Sequence, residues 1–445
     1  MILTEEHIIR TGSRKNRELY KKLDAYCFAS KNLHNFANYL IIQCGRISGK
    51  LAKGEELLEW EISLLQEING AIHSYNEGRQ DEKCLCPIDS QNGFIANAYF
   101  LSWHLKASEP YKEMPYATCA QICLQELCRE WKSFYKGLAA FKSGKEHMTG
   151  RPRRPGYLEK RKGRNALVLT SQNAKADKNG NVRLPVFLSG IHIRTEHRNI
   201  RQIRFLTGDQ KIRIQIMYEE AEQIQEKAEG TMGIDLGVNN LMAIAMDTDA
   251  DPIIISGKPV KSVNQYYNKE KARLQAAAKK SNGLDTTKRI RHLTEKRNRK
   301  IRDYMHKASR KVIEIAIANG IGTIVIGTNK GWKQESGLSR KVNQSFVGIP
   351  FQMLTDMIIY KGKLMGIEVI VTEEMYTSGT SFLDGEAPVK ENYDKSRRVK
   401  RGLFRSNEGI LINADVNAAY QIMKMTGKDP KAVRTVRKVT VIKAA

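Results

Sequence analysis

From residue 230 to residue 424 the chain alternates short apolar runs with amphipathic helical segments. That alternation restricts it to an α/β sheet with helices on its faces. GTMGIDLGVNNLMAIAMD, beginning at Gly230, is a strand, a glycine turn and a returning strand. Residues 263–318 are helical and basic, with eleven Lys or Arg between 288 and 311. TIVIGTN, from Thr323, reads as a buried strand. FQMLTDMIIYKGKLMG begins after Pro350 and stops at Gly366, the punctuation of a helix. IEVIVTEEMYTS is a further strand, and NADVNAAYQIMKM is a last helix.

Ahead of residue 230 the pattern differs. HIIRTG ends a short strand in residues 1–13, and residues 14–45 carry apolar positions at helical spacing. Helices continue to about residue 143 with a polar break at 74–92, and YATCAQICLQELCREWKSFYKGLAAF is strongly amphipathic. Residues 166–218 hold five short runs, ALVLTSQ, VRLPVFL, IHIRTE, IRQIRFLT and KIRIQIMYE, with a turn at DKNGN. They predict a small antiparallel sheet or barrel that the N-terminal strand joins, with the helices as an insertion. The fold class is therefore multidomain: α+β, then α/β.

The net charge is +26, from 74 Lys and Arg against 48 Asp and Glu, so the first partner expected is a polyanion. No apolar run reaches the roughly 18 residues a membrane span needs, and MILTEEHIIR lacks the pattern of a signal peptide. The expectation is a cytoplasmic nucleic-acid binder with no membrane partner. GRPRRPGYLEKRKGRNA, at 150–166, cannot be helix interior because of its prolines. It is either a solvated linker or a phosphate-contacting loop through Arg151, Arg153, Arg154, Lys160 and Arg161. Seven cysteines, at 27, 44, 84, 86, 119, 123 and 128, form no CxxC pair. Cys84 and Cys86 are half a metal site or, with the others, free thiols in a reducing compartment.

Three acidic positions stand out. Asp235 lies in the first strand of the hairpin, Glu373 and Glu374 at a strand end, and Asp415 in the first turn of the last helix, where its charge suits the dipole. Ala414, Ala418 and Ala419 suit that helix for close packing on a sheet. Alone, each carboxylate is an ordinary cap or surface charge. Together, on two strands and a final helix, they form the RNase H-like layout, in which carboxylates hold two Mg²⁺ ions about 4 Å apart. Hard oxygen ligands suit Mg²⁺ and not zinc.

GIDLGVNNLMAIA and RSNEGILINADVNAAYQIMK resemble the first and third RuvC motifs of the TnpB family of transposon-encoded RNA-guided nucleases, relatives of the type V CRISPR effectors. RNRKIRDYMHKASR, WKSFYKGLAAFKSG and GRPRRPGY are similar to TnpB segments in the same order. The resemblance covers about residues 1–45 and 110–429; residues 46–110 read as an expansion of the helical region. It implies a β-barrel wedge domain (1–13 and 150–229) and a helical recognition domain (14–149). It also implies a RuvC nuclease domain (230–376 and 410–429), a target-strand-loading insertion (377–409) and a C-terminal tail (430–445).

Two departures matter. Most TnpB proteins carry the second catalytic glutamate at the end of the strand matching TIVIG, where this chain has Gly327. Some relatives, the eukaryotic Fanzor proteins among them, place it on the next core strand before a Thr-Ser pair, as in VTEEMYTS here. Adjacent strands lie about 4.8 Å apart, so a neighbouring strand's carboxylate can reach the same ions, and a glycine leaves room for it. Glu374 is preferred over Glu373 by its distance from Thr377. The second departure is the absence of cysteines from 377–409, so no zinc is expected and Phe382, Leu383, Leu403 and Phe404 must hold that loop.

The resemblance thus implies an RNA-guided DNA endonuclease using Mg²⁺, with Mn²⁺ as a substitute, at Asp235, Glu374 or Glu373, and Asp415. Its partners are a guide RNA, either a transposon-end RNA or a CRISPR RNA with scaffold, and a double-stranded DNA target beside a short flanking motif. Its place is the prokaryotic cytoplasm, at the nucleoid. Arg299, Arg302, Lys307, Lys333, Gln334, Arg401 and Arg405 are expected phosphate contacts. Tyr20, Phe36, Trp131 and Tyr135 either stack on bases or pack in the core. The alternatives are a nuclease-dead RNA-guided repressor, for which Gly327 would be the mark, and a transposase or resolvase that needs no RNA.

Overall fold

The computed structural model describes residues 1–79, 84–144, 150–222, 228–328, 348–400, 402–427 and 436–444. The chain divides into two compact units, Met1–Glu220 and Ala221–Ala445. Among the described residues no helix is long and apolar enough to cross a membrane.

The first unit opens with strand β1 (Ile2–Arg10) and the long helix α1 (Arg14–Leu51), started by Ser13, whose side chain accepts the Asn16 N–H. Helices α2 (Glu59–Asn76), α3 (Ala98–His104), α4 (Glu109–Lys112) and α5 (Ala117–Lys142) follow. Then come β2 (Leu167–Thr170), the small hairpin β3 (Lys175–Ala176) and β4 (Val182–Arg183), and the strands β5 (Ile200–Gly208) and β6 (Lys211–Glu219). The four longer strands pair antiparallel in the order β1-β6-β5-β2, so the N-terminal strand does join the sheet. β1 and β2 end that sheet and do not pair with each other among the described residues, so it is open and not a closed barrel.

Two of the five predicted strands take another form. VRLPVFL keeps two residues in β4 and then turns through a 3₁₀ segment, because Pro185 has no N–H for a ladder. IHIRTE is extended, with Ile191, Ile193 and Thr195 buried in alternation. It nevertheless forms only one isolated bridge, Asn181 to Arg194, since the turn at Asp177 brings just two strand residues alongside. The periodicity reported the burial correctly, but the pairing is confined to that bridge and its flanking bonds, Val182 N–H to Ile193 O and Thr195 N–H to Gly180 O.

The basic segment 150–164 is a pinned strap and not a loose linker. Asn35 Nδ2 donates to Leu158 O at 2.8 Å and Asn35 Oδ1 accepts the Leu158 N–H at 2.9 Å. Asn38 Nδ2 donates to the carbonyls of Pro155 and Gly156, and Lys31 Nζ to that of Lys160. At its end Arg164 grips Asp24 through two bonds of 2.9 and 2.7 Å, and Thr207 Oγ1 donates to the same carboxylate. Burial works against the Asp24 carboxylate, but the bonds from Arg164 and Thr207 outweigh it and hold its pKa below the usual value.

A depressed folded-state pKa means stability present in full above the unfolded value of about 4 and lost as the pH falls from there through the lower folded value. Asp24→Asn is expected to cost about 1 kcal/mol near neutral pH. In urea titrations its gap from the parent should narrow below about pH 4; a gap independent of pH would contradict the assignment.

The second unit is built on a six-stranded sheet. Its strands are β7 (Gly230–Leu236), β8 (Asn240–Met246), β9 (Ile253–Ser256), β10 (Ile321–Thr328), β11 (Glu368–Glu373) and, after the hairpin β12 (Leu403–Arg405) and β13 (Leu411–Asn413), β14 (Thr440–Ile442). The order is β11-β10-β7-β8-β9-β14. β7, β8 and β9 are an antiparallel meander; β10 and β11 extend it in parallel on one side and β14 on the other. The expected tail therefore supplies an edge strand, with Ala444 buried beside it.

Helices α6 (Lys258–Asn282), α7 (Lys288–Ala318) and α8 (Phe351–Leu364) lie among the elements between β9 and β11, and α9 (Ala414–Lys424) follows β13. Strand alternation sorts the faces. Ile234, Ile244 and Ile326 share a core with Met305 and Val312 of α7 and Leu354 and Ile358 of α8. Ala243 and Ala245 face α9 with Tyr420 and Met423.

On that second face the residues are small for a reason. Gly233 lies opposite Ala245, and a Cβ on it would fall 2.1 Å from the Ala419 carbonyl oxygen. Phe382 stacks on Tyr420 at 4.1 Å, Asn417 bonds the backbone of Phe382 and Thr380, and Phe404 is buried nearby. Together they hold the 377–409 segment to α9.

Candidate functional site

Asp235 pairs across the hairpin with Ala243, which puts its side chain on the α9 face. Glu374 follows β11 directly, and its N–H donates to Thr328 O at 2.9 Å, continuing the parallel register by one residue. The Glu374 side chain crosses towards β10. A Cβ on Gly327 would stand 2.7 Å from Glu374 Oε2 and 2.4 Å from Ile422 Cδ1, so the glycine makes the room the glutamate occupies. Glu373 is exposed, as alternation requires of its neighbour.

Asp235 and Glu374 are hydrogen-bonded to each other. Burial, then the charges of Glu374 and Asp415, raise Asp235 well above the carboxylate range. Burial pushes Glu374 up to about 7, against the opposing effect of its bond with Asp235. The two carboxylates titrate as a pair, and the Oε2 oxygen of Glu374 is buried without a hydrogen-bond partner.

Asn413 caps α9 by accepting the N–H groups of Asp415 and Val416, which fixes Asp415 at the helix start. Asn240 Nδ2 donates to Asp415 Oδ2 at 2.7 Å, and Arg398 Nη2 lies 3.6 Å from Oδ1. Arg398 also draws the Asp235 pKa down, so its charge is felt by both carboxylates. Among the described residues no three His, Cys, Asp or Glu side chains are gathered closely enough to enclose a metal ion.

Asn240 and Arg398 escaped sequence reasoning. Arg398 sits in the run KSRRVKRG, where nothing distinguishes it from its neighbours. The fold does: Arg397 is turned to Glu386 at 2.6 Å, and Arg398 to Asp415.

Of the expected phosphate contacts, Arg151, Arg153, Arg154, Lys160 and Arg161 are exposed on the strap of the first unit. Arg299, Arg302 and Lys307 are exposed on α7, with Lys307 paired to Asp303, and Arg405 is exposed on β12. Lys333, Gln334 and Arg401 lie outside the described residues. Trp131 is core, whereas Phe36 and Tyr135 remain substantially exposed. All seven cysteines are free thiols, four of them buried and Cys84 and Cys86 exposed.

Gly327→Ala tests the room that Glu374 needs. The new methyl would meet Glu374 Oε2 at 2.7 Å and the buried Ile422 at both Cδ1 and Cγ1, 2.4 and 2.9 Å away, so Glu374 is pushed from Asp235 and Ile422 must shift as well. Displacement of about 1 Å at a reacting centre costs on the order of 100-fold in rate. That loss, with a fall in stability of about 1–3 kcal/mol from crowding Ile422, is the expected result; full activity would mean the carboxylate's position is immaterial.

Residues 215–333 match the family profile OrfB_IS605, described as "Probable transposase", and residues 351–422 match the Cas12f1-like TNB domain. A CRISPR-associated endodeoxyribonuclease Cas12f2 from a Micrarchaeota archaeon is 26% identical over 238 residues, 51% of this chain and 42% of that protein. A Cas12f1 endodeoxyribonuclease from Sulfoacidibacillus thermotolerans is 26% identical over 200 residues, 43% of this chain and 44% of that protein. The chain thus aligns with less than half the length of these relatives. Among solved structures, the mini-RNA-guided endonuclease CRISPR-Cas_phi3 is matched at 9% identity and a TM-score of 0.47, over 99% of this chain and 93% of that one, a likeness too low to argue from.

The sequence matches are to transposon-encoded and CRISPR-associated proteins. Over those segments the chain is similar to the OrfB_IS605 probable transposases and to the Cas12f proteins.

Proposed function

We propose that this chain is an RNA-guided DNA endonuclease that hydrolyses phosphodiester bonds at Asp235, Glu374 and Asp415. The observation that carries this reading is Glu374 reaching over Gly327 to Asp235, which supplies the carboxylate missing from the β10 end. The sheet order, a three-stranded meander extended by two parallel strands, supports an RNase H-like nuclease domain. The relatives' names as endodeoxyribonucleases support the substrate class. In this reading 14–149 recognises nucleic acid, 1–13 with 150–229 is the wedge, and 377–409 loads the strand to be cut.

By donor type the site suits a hard divalent cation, although its three acidic side chains are not drawn together closely enough to enclose one as they stand. All three are carboxylates, and the buried, unpartnered Oε2 of Glu374 is an oxygen that a cation would satisfy. Bound there, two Mg²⁺ ions would activate a water and offset charge on the leaving oxygen. Burial raises the pKa of both Asp235 and Glu374, and the charge of a bound cation would favour the ionised forms that act as ligands. Asn240 and Arg398 orient Asp415. The repressor reading gains no support from a chain that keeps Asp235 near the end of β7, Glu374 just past β11 and Asp415 at the start of α9.

The test is cleavage by the complex purified with its flanking locus, given Mg²⁺ and a plasmid carrying the sequence of the co-purified RNA. Matched cutting that vanishes in Asp415→Ala is expected. Guide-dependent binding without cutting by the parent would move the protein to the repressor class. Binding of DNA with no co-purified RNA would favour a transposase.

A further inference from the structure

Residues 84–99, with Ser48 and Ile72, build one wall of a cleft of about 1230 Å³ in the first unit. The opposite wall is the exposed stripe of α5 that carries Gln125, Arg129, Lys132, Tyr135 and Lys136. Every charged residue on the lining is cationic, and no carboxylate lies among them. Two aromatic rings stand at the cleft with large open areas, Tyr99 at 61% exposure and Tyr135 at 49%. An aromatic-and-cation lining without acidic groups matches an unpaired nucleotide, whose base offers a face and whose phosphate offers charge.

The cleft also connects to the strap. Trp131, on the cleft lining, donates from Nε1 to Asn38 Oδ1 at 2.9 Å. Asn38 in turn holds the carbonyls of Pro155 and Gly156. The strap's exposed Arg151, Arg153 and Arg154 therefore belong to the same rigid piece as the cleft floor. Ser48, Gln91 and Gln125 add hydroxyl and amide groups suited to a ribose 2′-hydroxyl.

We propose that this cleft is a subsite for unpaired RNA nucleotides, with bases on Tyr99 and Tyr135 and phosphates along Arg129, Lys132 and Lys136. The proposal rests on the reading of the chain as an RNA-guided protein and gives a task to the helical stretch that carries none of the quoted motifs.

The full chain, freed of co-purified nucleic acid at high salt, is mixed with single-stranded RNA containing 4-thiouridine and irradiated. Crosslinks are expected on residues 84–99 and 125–136. In fluorescence anisotropy, Tyr99→Ala with Tyr135→Ala should weaken single-stranded RNA binding about 10-fold or more, while the two Phe variants bind like the parent. Lys132→Gln with Lys136→Gln should lower the salt slope by about 1.5. Crosslinks confined to other segments, or Ala variants that bind RNA like the parent, overturn the subsite. Ala variants that weaken binding of single-stranded DNA alone overturn it too. A parent that binds no RNA at all overturns the RNA-guided reading itself; a parent that binds and cuts while the variants match it overturns only the subsite.

Discussion

Glu374→Gln should lower guide-dependent cleavage by roughly 1,000-fold, the loss of several kcal/mol of charge stabilisation at tenfold per 1.36 kcal/mol. Guide-dependent DNA binding should persist. Glu373→Gln should cut like the parent, because its side chain is on the exposed side of the strand end. The pair of results separates a relocated carboxylate from an absent one.

A stronger form moves the carboxylate back. Gly327→Glu with Glu374→Gly returns an acidic group to the β10 end and empties the space it needs, and partial recovery over Glu374→Gly alone is expected. Cleavage unaffected by Glu374→Gln would remove the central residue of the proposed site.

Gly233→Val should be the most damaging substitution for the fold. The new side chain would begin 2.1 Å from the backbone oxygen of Ala419, and a backbone atom inside a packed helix cannot step aside cheaply. A cost of about 3 kcal/mol corresponds to a drop of roughly 10 °C in the melting of a unit this size. Because α9 carries Asp415 at its start, cleavage should fall with it. Gly49→Ala provides the opposite sign: it sits on the exposed side of α1 with nothing within 4 Å of the added methyl. It should stabilise by about 0.5–1 kcal/mol. Melting curves of the two variants settle whether contact or glycine itself is responsible.

Much of the second unit was legible because its signals are local. β7 and β8 announce themselves by apolar content around a glycine turn, and α8 by Pro350 and Gly366. The alanines of α9 foretold close packing without revealing that Gly233 receives it. What sequence could not supply was pairing and direction. The run at 191–195 alternates correctly yet meets only the two-residue β4, through one bridge, and β14 is too short to stand out from the polar end of the chain. Arg398 is one of several equivalent cations until the fold turns it to Asp415. The choice between Glu373 and Glu374 depends on one residue of register, which periodicity allows but does not decide.

In β10 and β11 that register is parallel and in step, Gly327 beside Thr372 and Thr328 beside Glu373. Two neighbouring strand ends then act as alternative mooring posts for one acidic group. Evolution can shift the group sideways by a pair of substitutions, passing through no change of fold. A survey that scores such chains by the residue at one post would count this one among the inactive. Scoring by which acidic oxygen stands over the hairpin aspartate would count it among the competent.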